Sequence, residues 1–98
     1  MTKTREMFEK LFKDNGIVYQ TMILAEECGE LVKEASKCAR KEDVFEPDRQ
    51  KLIEEMADVS IMINELCFYY EITMEELYKM IDLKMDRLRD RFQKGEAK

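Results

Sequence analysis

Four acidic residues at helical spacing are the feature of this sequence best suited to chemistry. Glu27 and Glu30 are three residues apart in one segment, and Glu55 and Asp58 are three residues apart in another. On a helix, which turns about 100° per residue, each pair lies on one face. Apolar residues bound each pair on the same face: Ile23, Leu31, Leu52, Val59, Met62 and Leu66, and Glu34 also falls on the face of Glu27. Ionised carboxylates on a face that should be buried need cations or hydrogen-bonding partners.

Two such helices side by side could bring the four carboxylates to one point, which would make a hard-cation site of oxygen ligands. The chain contains no histidine. Oxygen-only ligation therefore favours Mg²⁺, with Mn²⁺ as a substitute, over iron or zinc. The same acids could instead belong to a solvated face with lysine partners, for example Glu30 with Lys33 and Glu34 with Lys37. The helical pattern alone leaves both interpretations open.

A basic stripe near the carboxyl end is the second candidate for chemistry. Lys84, Arg87 and Arg91 lie on one side of a helix at the edge of its apolar face. Arginine offers a planar fork for phosphate oxygens and lysine a point charge, so the stripe suits contact with a pyrophosphate group. Salt bridges to Asp86 and Asp90 are the alternative.

Composition indicates what kind of protein positions these residues. With 98 residues, the chain is expected to form one domain over residues 1–98. Its 3 glycines and 1 proline indicate a mostly helical chain with few turns. The net charge of −5 argues against nucleic acid as a partner. No apolar run approaches the roughly 20 residues of a membrane span, so no membrane association is expected.

The spacing of apolar residues predicts an all-α fold, an antiparallel bundle of four helices. The predicted helices are Met1 to about Asp14, Ile17 to about Arg40, Pro47 to about Tyr70, and a last helix that is capped by Thr73 and ends at about Gln93. Gly16 should end the first helix in a left-handed conformation. Lys41–Pro47 is the predicted loop, and residues 94–98 should fray.

The three cysteines, Cys28, Cys38 and Cys67, form no CxxC pair. Because the chain also lacks histidine, we expect neither a zinc site nor a disulfide framework. We expect reduced thiols and a cytoplasmic protein. The charged, amphipathic start of the chain agrees, because it is unlike a signal peptide.

The acidic segments resemble the signature of a known family. Glu26-Glu27-Cys28-Gly29-Glu30 fits an EExxE motif, and Glu55-Met56-Ala57-Asp58 fits the ExxD motif that follows it. Together with the surrounding AEECGELVKEASK, LIEEMADVSIMINEL and KMDRLRDRF, they resemble the all-α nucleoside triphosphate pyrophosphohydrolases. These include MazG-like proteins, dimeric dUTPases and dCTP pyrophosphatases. The resemblance covers roughly Ile17 to Phe92 and is closest to the short, single-domain members.

The resemblance implies a reaction and a ligand set. Family members hydrolyse a nucleoside triphosphate between the α- and β-phosphates, giving the monophosphate and pyrophosphate. Carried over to this chain, the Mg²⁺ ligands would be Glu27, Glu30, Glu55 and Asp58. Glu26 and Glu27 would be catalytic, Glu26 in an outer-shell or water-positioning role. Lys84 and Arg87 fit the K-x-x-R pattern that relatives often carry on the matching helix.

Assembly and specificity complete the expectations. Two apolar stripes on the Ile17–Arg40 helix cannot both pack within one subunit, which predicts a homodimer or homotetramer. The first comprises Val18, Met22, Ala25, Val32 and Ala39, and the second Leu24, Cys28, Leu31, Ala35 and Cys38. Candidates for base recognition are Tyr19, Gln20, Asn64, Phe68 and Tyr69. The alternative functions are a non-catalytic helical interaction module and a nucleotide sensor that does not hydrolyse its ligand.

Overall fold

The computed structural model of this chain describes residues 2–41 and 46–95. They form three helices: α1, Thr2–Ala39; α2, Glu46–Tyr69; and α3, Met74–Gln93. No strand occurs among the described residues. The prediction of an all-α fold is therefore confirmed.

The number of helices differs from the four that the sequence predicts. The first two predicted helices form one continuous element, α1, with a kink at Gly16, whose φ of 80° and ψ of 162° are not helical. The positive φ agrees with the expectation for this glycine, because a residue without a Cβ adopts it at no steric cost. One non-helical residue bends the chain but is too short to form a loop, so helical geometry resumes at once.

α1 and α2 pack along each other as an antiparallel hairpin. At one end, the rings of Phe12 and Tyr69 have centroids 4.8 Å apart. At the other end, the Cys38 thiol lies 3.8 Å from the backbone oxygen of Asp48. Residue numbers fall along α2 as they rise along α1, so Glu27 of α1 faces the middle of α2. Of the predicted loop, residues 42–45 lie outside the described residues.

Local signals account for the helix boundaries. Pro47 lies in the first turn of α2, where its missing N–H costs nothing. At the other end of α2, Glu71 has a φ of 56° and the Ile72 N–H donates to the Cys67 oxygen over 2.8 Å. This pattern closes the helix like a Schellman motif, with glutamate at the usual glycine position. Thr73 caps α3 as predicted, since its hydroxyl oxygen accepts the Glu76 N–H over 3.1 Å.

α3 stands away from the hairpin. It makes no packing interface with α1 or α2 comparable to the one between those two helices, and none of its residues is buried. The described part of the chain therefore does not close into the compact bundle that the sequence suggested. In the described ranges, no helix has the length and apolar character that crossing a bilayer requires.

Candidate metal centre

Three of the predicted acidic residues converge where α1 and α2 face each other. Glu27 of α1 and Glu55 and Asp58 of α2 each present a carboxylate oxygen, and these oxygens lie within 4.8 Å of one another. We call these three residues the acidic cluster. The i, i+3 spacing places Glu55 and Asp58 on adjacent turns of one face, and the antiparallel packing brings Glu27 opposite them. Three like charges so close repel one another unless a proton or a cation compensates for them.

The three side chains differ in their surroundings. Glu55 is buried, Glu27 is half-buried and Asp58 is exposed, so the cluster opens to solvent on the Asp58 side. Desolvation, the charges of Asp58 and Glu55, a hydrogen bond with Asp58 and the charge of Glu30 together raise the pKa of Glu27. The same repulsion that raises this pKa would be relieved by a divalent cation, because a cation favours the ionised form of each acid.

The cluster fits a magnesium ion by chemistry and by spacing. Mg²⁺ prefers carboxylate and water oxygens at about 2.1 Å, so two of its ligands are about 3.0–4.2 Å apart in octahedral geometry. The oxygens of the acidic cluster lie within 4.8 Å of one another, an upper bound slightly above that range. The exposed side of the cluster leaves room for water and phosphate oxygens, which Mg²⁺ usually keeps among its ligands.

The other two acids of the EExxE segment lie outside the cluster. Glu30 is exposed and is not among the three converging side chains, although it is close enough to contribute to the raised pKa of Glu27. Glu26 is exposed as well. The structure therefore brings together three of the four predicted metal ligands.

Lysine partners compensate some of the neighbouring acids. Glu34 is buried, and its carboxylate lies 3.2 Å from the Lys37 ammonium, which is the pair that the alternative interpretation anticipated. Glu55 has a longer contact, 3.7 Å, with Lys51. The lysine pairing that this alternative predicted is present at Glu34, although Glu34 is buried rather than solvated, whereas Glu55 lies beside two further acids.

The predicted phosphate-binding residues lie together, but on α3. Lys84, Arg87 and Arg91 line an open cleft of about 490 Å³ with Asp90. Among the described residues, none of the three forms an ion pair with the acidic cluster. Since α3 does not pack on the hairpin, this basic stripe and the acidic cluster are separate features of the single chain.

The structure contains a buried polar network near the kink that was not predicted from the sequence. The Gln20 amide donates to the Glu65 carboxylate over 2.7 Å, and its oxygen accepts from Asn15 over 3.0 Å. Gln20 and Glu65 are 5% exposed each, so the network ties the residues around Gly16 to α2. Glu65 lies on the same side of the α2 helical wheel as Asp58, and this position in the sequence could have indicated that Glu65 faces α1. Gln20 is one of the candidates for base recognition, but its amide oxygen and nitrogen both already form hydrogen bonds within the chain.

A second cleft, of about 530 Å³, lies at the turn between α2 and α3. Two candidates for base recognition, Phe68 and Tyr69, line it with Arg5 and Cys67 of the hairpin and with the turn residues Glu71, Ile72 and Thr73. This cleft is therefore separate from the acidic cluster, because Cys67 lies nine residues beyond Asp58, about 14 Å along α2.

Searches of known protein families, of curated proteins and of solved structures found no match to this chain.

Proposed function

We propose that this chain is a Mg²⁺-dependent nucleoside triphosphate pyrophosphohydrolase that resembles the MazG-like enzymes. The observation that carries the proposal is the acidic cluster. Glu27, Glu55 and Asp58 come from two separate sequence motifs, and their oxygens lie within 4.8 Å of one another on two different helices. The motifs that supply the resemblance are thus the segments whose acids meet in space.

In the proposed reaction, water attacks the α-phosphorus of a nucleoside triphosphate, and the products are the monophosphate and pyrophosphate. Glu27, Glu55 and Asp58 would hold Mg²⁺, and the family resemblance adds Glu30 as a fourth ligand. When bound, Mg²⁺ neutralises phosphate charge and makes the deprotonation of water easier. Glu26, one residue before Glu27, orients water or accepts its proton. We expect the triphosphate to approach from the side of Asp58, because Asp58 is exposed whereas Glu55 is buried.

The basic stripe has a role in this proposal as the pyrophosphate contact. Lys84, Arg87 and Arg91 can reach a phosphate at the acidic cluster when α3 of the same chain, or of a second copy, comes against the hairpin. Self-association through α1 is part of the proposal. The exposure of Val18, Met22 and Val32 supports it, because they belong to the stripe that the hairpin leaves uncovered. A homodimer or homotetramer of reduced, cytoplasmic chains is the proposed form.

A screen of natural and modified nucleoside triphosphates with Mg²⁺, monitored by pyrophosphate release, tests the activity. We expect turnover that EDTA abolishes and that Glu55→Gln reduces at least about 100-fold. Glu54→Gln is the matched control, because Glu54 is the adjacent acid and lies outside the acidic cluster. Reaction in ¹⁸O-water should label the monophosphate. Orthophosphate as the first product would contradict the proposed bond cleavage.

The alternative is a helical interaction module without catalytic activity. It is favoured by the exposed apolar side chains of α3, which lie outside any core of the single chain. The same screen separates the two functions. An interaction module releases no pyrophosphate from any nucleotide and shows no stabilisation by Mg²⁺, whereas a nucleotide sensor binds the triphosphate and leaves it intact.

A further inference from the structure

α3 carries an apolar seam that continues over its whole length. Heptad spacing, in which apolar residues alternate at intervals of three and four, selects one face of the helix. The residues at these positions are Met74, Tyr78, Ile81, Met85, Leu88 and Phe92. We call this set the α3 seam. Every position is apolar or aromatic, and the seam spans about 27 Å of helix.

The hairpin does not cover this seam. Tyr78 is 59% exposed and Phe92 is 71% exposed. Of the six seam residues, five are exposed and Leu88 is half-buried. Among the described residues, α3 has no packing interface with α1 or α2 comparable to the one between those two helices. Continuous apolar surfaces of this kind on small proteins mark contact sites rather than solvated faces.

The dimensions of the chain indicate how much surface a partner could cover. The radius of gyration is 16.9 Å, whereas a compact chain of this length has about 12.6 Å. The accessible surface is 8107 Å², and a compact monomer of 11.8 kDa exposes about 5,900 Å². The excess, about 2,200 Å², is larger than the roughly 800 Å² that each partner contributes to a standard interface. The chain therefore exposes more surface than one standard interface with a second copy would cover.

The charges of α3 select the orientation of that partner. Its first half, residues 74–83, carries three acids and one lysine, and its second half, residues 84–95, carries five cations and two acids. A parallel pair would place like charges together at both ends. An antiparallel pair places the acidic half of each helix against the basic half of the other. Self-complementarity of this type is what a two-fold symmetric contact requires.

We infer that α3 is an assembly helix that pairs antiparallel, along the α3 seam, with α3 of a second copy of this chain. Met74 then faces the second copy's Phe92, and Ile81 faces the second copy's Met85. On one flank, Glu75 comes next to the second copy's Arg89, and symmetry produces this contact twice. This surface is distinct from the exposed stripe of α1, so a chain that uses both surfaces forms a dimer of dimers. The inference does not depend on the metal site or on catalysis.

A pair of methionine variants tests the seam. Met85 and Met80 are on the same helix and are 42% and 50% exposed, but only Met85 belongs to the seam. Light scattering at low micromolar concentration should give a wild-type mass of twice 11.8 kDa or a multiple of it. Met85→Glu should halve that mass, whereas Met80→Glu should leave it unchanged. Circular dichroism shows whether each variant keeps its helices, which is expected because α3 contributes nothing to the buried core.

Charge reversal tests the orientation. Glu75→Arg or Arg89→Glu alone should raise the dissociation constant of the α3 contact about tenfold, because each puts like charges together twice. The double variant Glu75→Arg/Arg89→Glu should return it to the wild-type value. The two positions are about 21 Å apart on one helix, so the rescue requires the antiparallel partner. A wild-type monomer, equal effects of Met85→Glu and Met80→Glu, or a double variant weaker than both single variants would overturn the inference.

Discussion

If the acidic cluster binds Mg²⁺, replacing its buried member should remove the stabilisation that the ion provides. Glu55 and Glu54 form a matched pair for this test, because they are adjacent and Lys51 lies within 4.0 Å of both. The side chain of Glu55 is 9% exposed and that of Glu54 is 68% exposed. Glu55→Gln removes a ligand of the proposed site, and Glu54→Gln removes the same charge outside it.

The size of the effect follows from ligand linkage. A site of about millimolar affinity in about 10 mM Mg²⁺ is stabilised by about 1.4 kcal/mol. In a domain of this size, 1 kcal/mol shifts the melting temperature by about 4–8 °C, so Mg²⁺ should raise it by about 6–11 °C. In the absence of metal, the melting temperatures of wild-type protein and Glu55→Gln should differ little. Glu55→Gln loses a half-exposed ion pair with Lys51, worth at most about 1 kcal/mol, and relieves repulsion within the acidic cluster.

Thermal unfolding monitored by circular dichroism, with Mg²⁺ added and with EDTA, measures both quantities. Wild-type protein and Glu54→Gln should show the full shift, and Glu55→Gln should show less than about 2 °C. Na⁺ at matched ionic strength controls for general screening of the net negative charge. A wild-type melting temperature that does not respond to Mg²⁺, or an equal loss of response in the two variants, would refute the assignment.

Three further predictions concern protons, the buried network and the kink. Because the pKa of Glu27 is raised above its ordinary 4.5 in the folded chain, first by desolvation, the Glu27 carboxyl keeps its proton to a higher pH in the folded state than in the unfolded state. Metal-free protein should lose stability as the pH rises above about 4.5 through that raised pKa, and urea midpoints should show the slope flattened by Glu27→Gln. Gln20→Ala should cost about 1–3 kcal/mol in urea unfolding, because it leaves the buried Glu65 carboxylate without its donor, and Glu65→Gln should cost less. Gly16→Ala should destabilise by about 1–3 kcal/mol because of its positive φ, whereas Gly29→Ala, in a regular helix with open space around it, should stabilise by about 1 kcal/mol.

The elements that the sequence predicted correctly depend on short-range rules. Pro47 and Thr73 mark helix starts through the backbone groups of a single turn, and both lie where expected. The face shared by Glu55 and Asp58 follows from helical periodicity alone. Their approach to Glu27 needed one further assumption, that the two helices are antiparallel neighbours, which a short connection favours.

The features that the sequence analysis missed depend on longer range. A helical wheel places Glu30 within about 60° of Glu27, but it does not say which of two neighbouring acids points across to α2. The position of α3 is a tertiary property, because its strongly amphipathic pattern requires a partner without identifying which surface supplies it. Gly16 was identified as a break, yet the length of the break, one residue rather than a loop, depends on the packing of the chain on both sides.

The three buried carboxylates of the hairpin, Glu34, Glu55 and Glu65, differ in how well other residues compensate their charge. Glu65 receives a hydrogen bond of 2.7 Å from Gln20, and Glu34 has the Lys37 ammonium at 3.2 Å. Glu55 has the longest contact of the three, Lys51 at 3.7 Å, and that lysine is half-exposed. Of the three buried carboxylates, Glu55 is also the one on which two further acids, Glu27 and Asp58, converge. Desolvation makes an uncompensated carboxylate costly, and additional carboxylates increase the cost, so this arrangement opposes stability unless a proton or a cation compensates for the charge. Among these three buried carboxylates, Glu55 is therefore the one that the rest of the chain compensates least, and it is the position at which the proposed cation would relieve the most repulsion.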